Sequence, residues 1–343
     1  MFERELATTA AAMVAPGKGI LAIDESGGTI KKRFDSINLE STADNRRAYR
    51  DLLITANGLS EFISGMILYD ETIKQAAKDG TLFPAVLKKN GILVGIKVDA
   101  GAKTLAGAAG EQVTEGLDGL RERLAEYKKL GATFAKWRAV ITIGKDIPSG
   151  YCIDANAHAL ARYAALCQEA GIVPIVEPEV LMDGSHTLER CFDVTELTLQ
   201  TLFRELYLQR VRAEHLVLKA SMVISGKDCP QQATVQQVAE ATVQCLKRTV
   251  PAAVPGIVFL SGGQSDQLAT AHLNAMNAMA DARPWPLSFS YGRALQAPAL
   301  KVWKGQPGNV AAAQKALFHR SKCNSAACFG RYKPEMEQET LAA

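Results

Sequence analysis

The chain has 343 residues, 48% of them hydrophobic and 22% charged, enough for a large buried core and ordinary for a globular protein. Its formal net charge is only +3, from 39 basic and 36 acidic residues, which argues against a dedicated nucleic-acid binder with its basic face or tail. The opening MFERELATTA lacks the apolar segment of a secretory signal, and no run approaches about eighteen apolar residues, so no membrane association is expected.

The first strand candidate is GILAID (19–24), ending in Asp24. DESGGT and IKKRF follow it, with Ser26, Thr29, Lys32 and Arg33. The run DNRRAYRDLLITA has apolar residues at helical spacing and leads to a second strand, FISGMILY (62–69). The third, ILVGIKVD (92–99), carries Lys97 and Asp99. After the amphipathic LDGLRERLAEYKKL comes ATFAKWRAV (132–140), with Lys136 and Arg138. ANAHALARYAALCQEA then precedes IVPIVEPEV (172–180), with Glu177 and Glu179. The longest helical candidate starts at SHTLERC and ends at LQRVR (185–212). HLVLKASMV (215–223) carries Lys219 among Leu216, Val217, Leu218 and Ala220. ATVQQVAEATVQCLKR separates it from GIVFLSGG (256–263), which ends in Ser261, Gly262 and Gly263. The eighth strand candidate, LSFSYGR (287–293), ends in Ser290, Gly292 and Arg293.

Near-continuous Val, Ile and Leu runs are the mark of parallel strands covered on both faces. Eight of them alternating with amphipathic helices predict an α/β fold, a (β/α)8 TIM barrel. Length alone suggests two domains, but barrels routinely exceed that rule, and no interior linker appears. The expected division is one barrel domain over residues 1–331 and a polar, mobile tail over 332–343. No GxGxxG follows the first strand, which weakens the dinucleotide-binding alternative.

Seven scattered cysteines without a CxxC pair read as reduced thiols of a cytoplasmic protein. Cys323 and Cys328 are the one pair considered as a redox switch. Five scattered histidines without HExxH predict no metal, and nothing calls for another cofactor.

Barrel chemistry sits at the C-terminal ends of the strands. Polar residues stand there in seven of the eight candidates, and residues two apart share a face, so Lys136 can join Arg138 and Glu177 can join Glu179 in one cavity. Singly, each is as readily a solvated strand end or a salt bridge. Together they describe a site. Lys97, Lys136, Arg138, Lys219 and Arg293 favour an anionic ligand. The glycines of LSGGQS let backbone N–H groups approach a phosphate, at the recurrent barrel phosphate position. Lys32 and Arg33 form a second basic group, for which a solvated helix start is the simpler reading. A lysine nucleophile must be neutral, which takes roughly 4–5 kcal/mol near pH 7; burial and a neighbouring cation both help. Apolar neighbours and Lys136 favour Lys219 over Lys97, which has Asp99 on its own strand face.

LAIDES, GIKVD, AKWR, VEPE, LVLK, FLSGGQS and SFSYGRALQ, in that order, resemble class I fructose-bisphosphate aldolase from about residue 5 to about 332. The resemblance implies a metal-free barrel enzyme of glycolysis and gluconeogenesis, or the Calvin cycle, usually a homotetramer. It implies reversible cleavage of fructose 1,6-bisphosphate to dihydroxyacetone phosphate and glyceraldehyde 3-phosphate. By its motifs Lys219 forms the Schiff base, Glu177 is general acid/base, Lys136 holds both electrostatically, and Asp24 takes the C4 hydroxyl proton. Ser261, Gly262, Gly263, Ser290, Gly292 and Arg293 belong to the C1-phosphate site, while Ser26, Thr29, Arg33 and Lys97 lie toward the other phosphate. Arg138 and Glu179 join the same polar network. This chain reads DESGGT where the family often has DESTGS, and Ala220–Ser221 where it often has Pro-Asn. It ends in ETLAA rather than tyrosine, which puts proton transfer by the tail in question and softens the expected preference over fructose 1-phosphate. Sedoheptulose 1,7-bisphosphate is the competing substrate, and a non-catalytic barrel is the competing class, disfavoured by the presence of Lys219 and Glu177.

Overall fold

Eight strands pair in parallel and close into a barrel in the computed structural model, which describes residues 2–280 and 282–338. They are β1 (Gly19–Ala22), β2 (Ile63–Leu68), β3 (Leu93–Lys97), β6 (Phe134–Ile141), β7 (Val173–Val180), β8 (Val217–Ala220), β9 (Ile257–Phe259) and β10 (Leu287–Tyr291). All eight candidate runs are therefore strands, each within a few residues of its expected bounds. A two-stranded antiparallel hairpin, β4 (Ala102–Thr104) with β5 (Gln112–Thr114), stands outside the barrel between β3 and β6. The sequence reading missed it, because three-residue strands are too short to show a period.

The helices follow from local signals. Thr187 starts the longest, Leu188–Leu208, by accepting from the N–H of Arg190. Thr234 and Gln237 form a reciprocal capping box at the start of Val235–Thr249. Ser149 accepts from Cys152 N–H at the start of Gly150–Glu169 and is itself held by buried Glu111. Each satisfies backbone donors that a helix start leaves open.

Two apolar layers hold the barrel. The larger lies between the strands and the surrounding helices. The smaller fills the inside: Ile20, Ile67, Phe134, Val173, Ile175, Val217 and Val258 meet Leu6, Ala10 and Met13 of the N-terminal helix Glu3–Met13. Phe134 fits there because two neighbouring strands offer no side chain. A Cβ on Gly65 would stand 2.8 Å from its ring, and one on Gly95 closer still. Gly95→Ala should therefore cost roughly 1–3 kcal/mol through overpacking. A fall in Tm, largely recovered by adding Phe134→Leu, checks this; an unchanged Tm would contradict it.

The first residues of the C-terminal tail lie against the barrel. Tyr332 is buried, its N–H donates to Asn274 and its hydroxyl to Glu337, and both carboxylate oxygens of Glu337 accept from buried Arg320. The rest of that expected tail, 339–343, lies outside the described residues. The Cys323–Cys328 switch is corrected by geometry. Both sit on the helix Val310–Cys328. Five residues turn a helix by roughly 140° beyond a full turn and about 7.5 Å along its axis, too far for a disulfide. Cys323 instead approaches His319 and Cys328 approaches Ser288, and no disulfide joins any two cysteines among the described residues. No helix among the described residues is long and apolar enough to cross a membrane.

Candidate active site

The inward face of the barrel changes character along the strands. On β6 the inward series runs Phe134, Lys136, Arg138; on β7 it runs Val173, Ile175, Glu177, Glu179; on β8 it is Val217, then Lys219. The strand register pairs Arg138 with Glu177 and Ile175 with Val217, so Glu177 and Lys219 each stand two residues beyond a paired apolar layer. A cavity of about 1130 Å³ opens there. It brings together every residue expected in the site: Asp24, Ser26, Thr29, Arg33, Lys97, Lys136, Arg138, Glu177, Glu179, Lys219, Ser261, Gly262, Gly263, Ser290, Gly292 and Arg293. Lys32 also lines it, so the second basic group is more than a solvated helix start.

A chain of alternating charge runs through its floor. Lys219 Nζ is 3.0 Å from Glu177 Oε1, Lys136 Nζ is 3.2 Å from Glu177 Oε2, and Lys136 Nζ donates to Asp24 Oδ2 at 2.9 Å. Lys219, Glu177 and Lys136 are each buried. Burial works to raise the Asp24 pKa, but Lys136 and Lys219 outweigh it and hold the carboxyl below its usual range. Glu177 is held down in the same way, against burial, by Lys136, Lys219 and Arg138. Burial opposes the charge on Lys136, yet Asp24 and Glu177 keep it protonated above the ordinary lysine range. The site thus holds two ionised carboxylates and a fixed cation beside the candidate nucleophile.

Lys97 pairs with Asp99 at 3.1 Å, and Arg138 pairs with Glu179. Four of the five cations read as a positive excess therefore have carboxylate partners. Arg293 has no ion-pair partner among the described residues, and it starts the helix Arg293–Trp303. Its side chain reaches the glycines after β9: a Cβ on Gly263 would lie 3.4 Å from Arg293 Nη2 and 2.8 Å from Met182 Sδ. Gly263 also has φ +108°, which favours glycine. Ser290 is buried, and its hydroxyl has no hydrogen-bond partner among the described residues. Open hydroxyl, glycine backbone, helix N-terminus and unpaired arginine form an anion cradle.

The depressed carboxyls carry a pH prediction. A carboxyl whose folded pKa lies below its unfolded value stabilises the fold fully above the unfolded value, and that stability fades as pH falls through the folded one. The unfolded references are 3.8 for Asp24 and 4.5 for Glu177. Their contribution should hold above that range and be lost below it. In Tm against pH, Asp24→Asn should flatten the acid limb; an unchanged limb would show that Asp24 carries none of it.

Sequence reasoning passed over Glu25, Arg50 and Gln296. Glu25 Oε1 is 3.0 Å from Arg33 Nη2, Glu25 Oε2 is 2.9 Å from Arg50 Nη2, and Gln296 Nε2 donates to Glu25 Oε1 at 2.7 Å. Glu25 stands beside Asp24, but no periodic signal links either to a helix face twenty-five residues away. Among the described residues one group of three metal-capable side chains occurs, His319, Cys323 and Glu337, outside this cavity. Glu337 is already engaged by Arg320.

A family model described as fructose-bisphosphate aldolase class-I matches residues 5–343. The chain belongs to the class I fructose-bisphosphate aldolase family. It is 63% identical over 330 residues to a probable fructose-bisphosphate aldolase class 1 of Xanthomonas campestris pv. campestris, covering 96% of this chain and 98% of that protein. It is 52% identical over 333 residues to the cytosolic fructose-bisphosphate aldolase 4 of Arabidopsis thaliana, covering 97% of this chain and 85% of that one. Among solved structures it resembles fructose-bisphosphate aldolase from Plasmodium falciparum, determined in complex with TRAP and a small-molecule inhibitor. The TM-score is 0.95 at 50% identity, covering 96% of this chain and 95% of that one. This aldolase carries Lys219, Glu177, Asp24 and the glycines after β9 around one cavity at the strand ends of a closed barrel.

Proposed function

We propose that this aldolase cleaves fructose 1,6-bisphosphate reversibly through an imine on Lys219. The observation that carries the reading is the chain Lys219–Glu177–Lys136–Asp24, buried as far as Lys136, with successive contacts of 3.0, 3.2 and 2.9 Å. Lys219 passes a proton to Glu177, its neutral Nζ adds to the C2 ketone, and Glu177 returns that proton to the carbinolamine hydroxyl, which leaves as water. Glu177 suits this task because it touches Lys219 and sits among cations that keep a proton on it short-lived. Asp24, ionised beside Lys136, takes the proton of the C4 hydroxyl. The C3–C4 bond breaks, its electron pair moves into the iminium, and glyceraldehyde 3-phosphate departs. The remaining enamine takes a proton at C3 and water releases dihydroxyacetone phosphate. Lys136 positions both acids and touches neither breaking bond.

Ser261, Gly262, Gly263, Ser290, Gly292 and Arg293 hold the C1 phosphate in this reading, supported by the open hydroxyl and the helix start. Ser26, Thr29, Arg33 and Lys97 serve the second phosphate; Arg138 and Glu179 brace each other at the mouth between them. A cytoplasmic homotetramer is part of the same proposal. Exposed Leu197, Tyr207 and Leu208 on one helix supply apolar surface for such assembly.

Borohydride reduction in the presence of dihydroxyacetone phosphate, followed by peptide mass mapping, tests the central step. A reduced adduct on Lys219 is the expected product. No adduct, or one on Lys97 or Lys136, removes Lys219 from its role.

A further inference from the structure

We infer that Arg50, which does not line the cavity, positions Arg33 for a substrate phosphate by sharing Glu25 with it. The inference rests on the reading that puts Arg33 at the second phosphate. Arg33 lies on the helix Gly27–Asp35, Arg50 on Ala43–Ile54 and Gln296 on Arg293–Trp303, so three helices meet at one carboxylate. Glu25 and Arg50 side chains are 5% and 3% exposed, while Arg33 is 19% exposed and reaches the cavity wall.

The geometry of Glu25 is fixed from behind. Gln296 Nε2 donates to Glu25 Oε1 and, at 2.6 Å, to Ala22 O; its Oε1 accepts from Tyr49 at 3.0 Å. Tyr49 stacks on Trp303 at 5.2 Å and meets Phe34 edge-on at 5.7 Å. Burial, reinforced by Glu25, raises the Tyr49 pKa well above its usual range, so its hydroxyl remains a donor. The amide and carboxylate therefore have no freedom to turn away.

Charge supplies the second argument. One carboxylate faces two guanidiniums, leaving one positive charge unbalanced. Glu71, another acid that feels the charge of Arg50, has both oxygens taken by Arg46 at 2.8 and 2.6 Å. Adding that pair leaves the same excess of one. An unbalanced charge in a largely buried cluster is costly until an anion arrives. Arg33 donates no side-chain hydrogen bond among the described residues, and its contact with Glu25 is an ion pair by distance. Nη2 rests on Glu25 and Nε is buried, so Nη1 is the arm left for a ligand, and guanidinium N–H groups suit phosphate. Arg50 thus divides the pull of Glu25: without it, Glu25 and Arg33 become a closed neutral pair, and Arg33 is drawn off the ligand. Arg50 is a positioning residue.

The test is a double-mutant cycle of R33A and R50M, with kcat and KM measured on fructose 1,6-bisphosphate and on fructose 1-phosphate. R50M should raise KM for the bisphosphate by about tenfold, the scale of one weakened charge-assisted contact. It should leave kcat, and both constants for the monophosphate, within about twofold of wild type. In the R33A background R50M should change nothing further. R50K, keeping the charge but not the fork, should fall between. Should R50M fail to fold by its Tm, the same cycle is read with R50K. Equal loss on both substrates, no change in KM, or a full R50M effect without Arg33 would each overturn the inference. R33A itself raising KM for both substrates equally would instead overturn the placement of Arg33 at the second phosphate, while the coupling between Arg33 and Arg50 still decides the positioning role.

Discussion

Lys219→Arg should abolish carbon–carbon cleavage while leaving the barrel folded. Arginine keeps a cation 3.0 Å or so from Glu177, so the electrostatic chain persists. A guanidinium stays protonated throughout the accessible pH range and cannot become the imine nitrogen. The loss in kcat should be roughly a million-fold, the scale on which removal of a covalent nucleophile acts. The borohydride adduct should vanish with it, and Tm should change little because no cavity is made. Retention of even a hundredth of the activity would mean that another group carries the covalent step. Lys97 would then be the first to examine, since it lines the same cavity.

Asp24→Asn should separate the two halves of the reaction. Glu177 remains between Lys136 and Lys219, so water loss from the carbinolamine should proceed and dihydroxyacetone phosphate should still be trapped on Lys219. In the proposed mechanism only the base for the C4 hydroxyl is then gone. Cleavage should fall by about 1000-fold, within the range for a positioned general base. The asparagine is nearly isosteric, and Lys136 keeps Glu177 as a partner, so the variant should fold. Trapping lost in step with cleavage would assign Asp24 to imine formation instead. Cleavage retained would remove it from the proton transfer altogether.

The limits of the sequence reading follow a physical pattern. Phe134 was legible as an apolar residue of a strand, but not as the side chain that needs Gly65 and Gly95 opposite it. The hairpin β4–β5 was invisible because AKT and QVT have neither length nor alternation. Glu25 stood inside LAIDES without a role of its own and Arg50 lay in no motif, and their meeting depends on how the helix Ala43–Ile54 packs beside β1. The positive excess was read from residue counts. Counting cannot say that Asp24, Asp99, Glu177 and Glu179 would each stand beside one of those cations.

By itself the sequence determined the barrel and the composition of its active end. Eight buried parallel strands need continuous apolar runs, and a polar residue within such a run is affordable only at a strand's end or with a partner. Those constraints act locally, so they are written locally, at Lys97, Lys136, Glu177 and Lys219. Tertiary structure alone decided which charges pair, which hydroxyl and guanidinium stay open, and which buried arginine shares a carboxylate with the cavity wall. Electrostatic energy depends on distance through space, and the register of the closed barrel with the packing of its helices is what sets those distances.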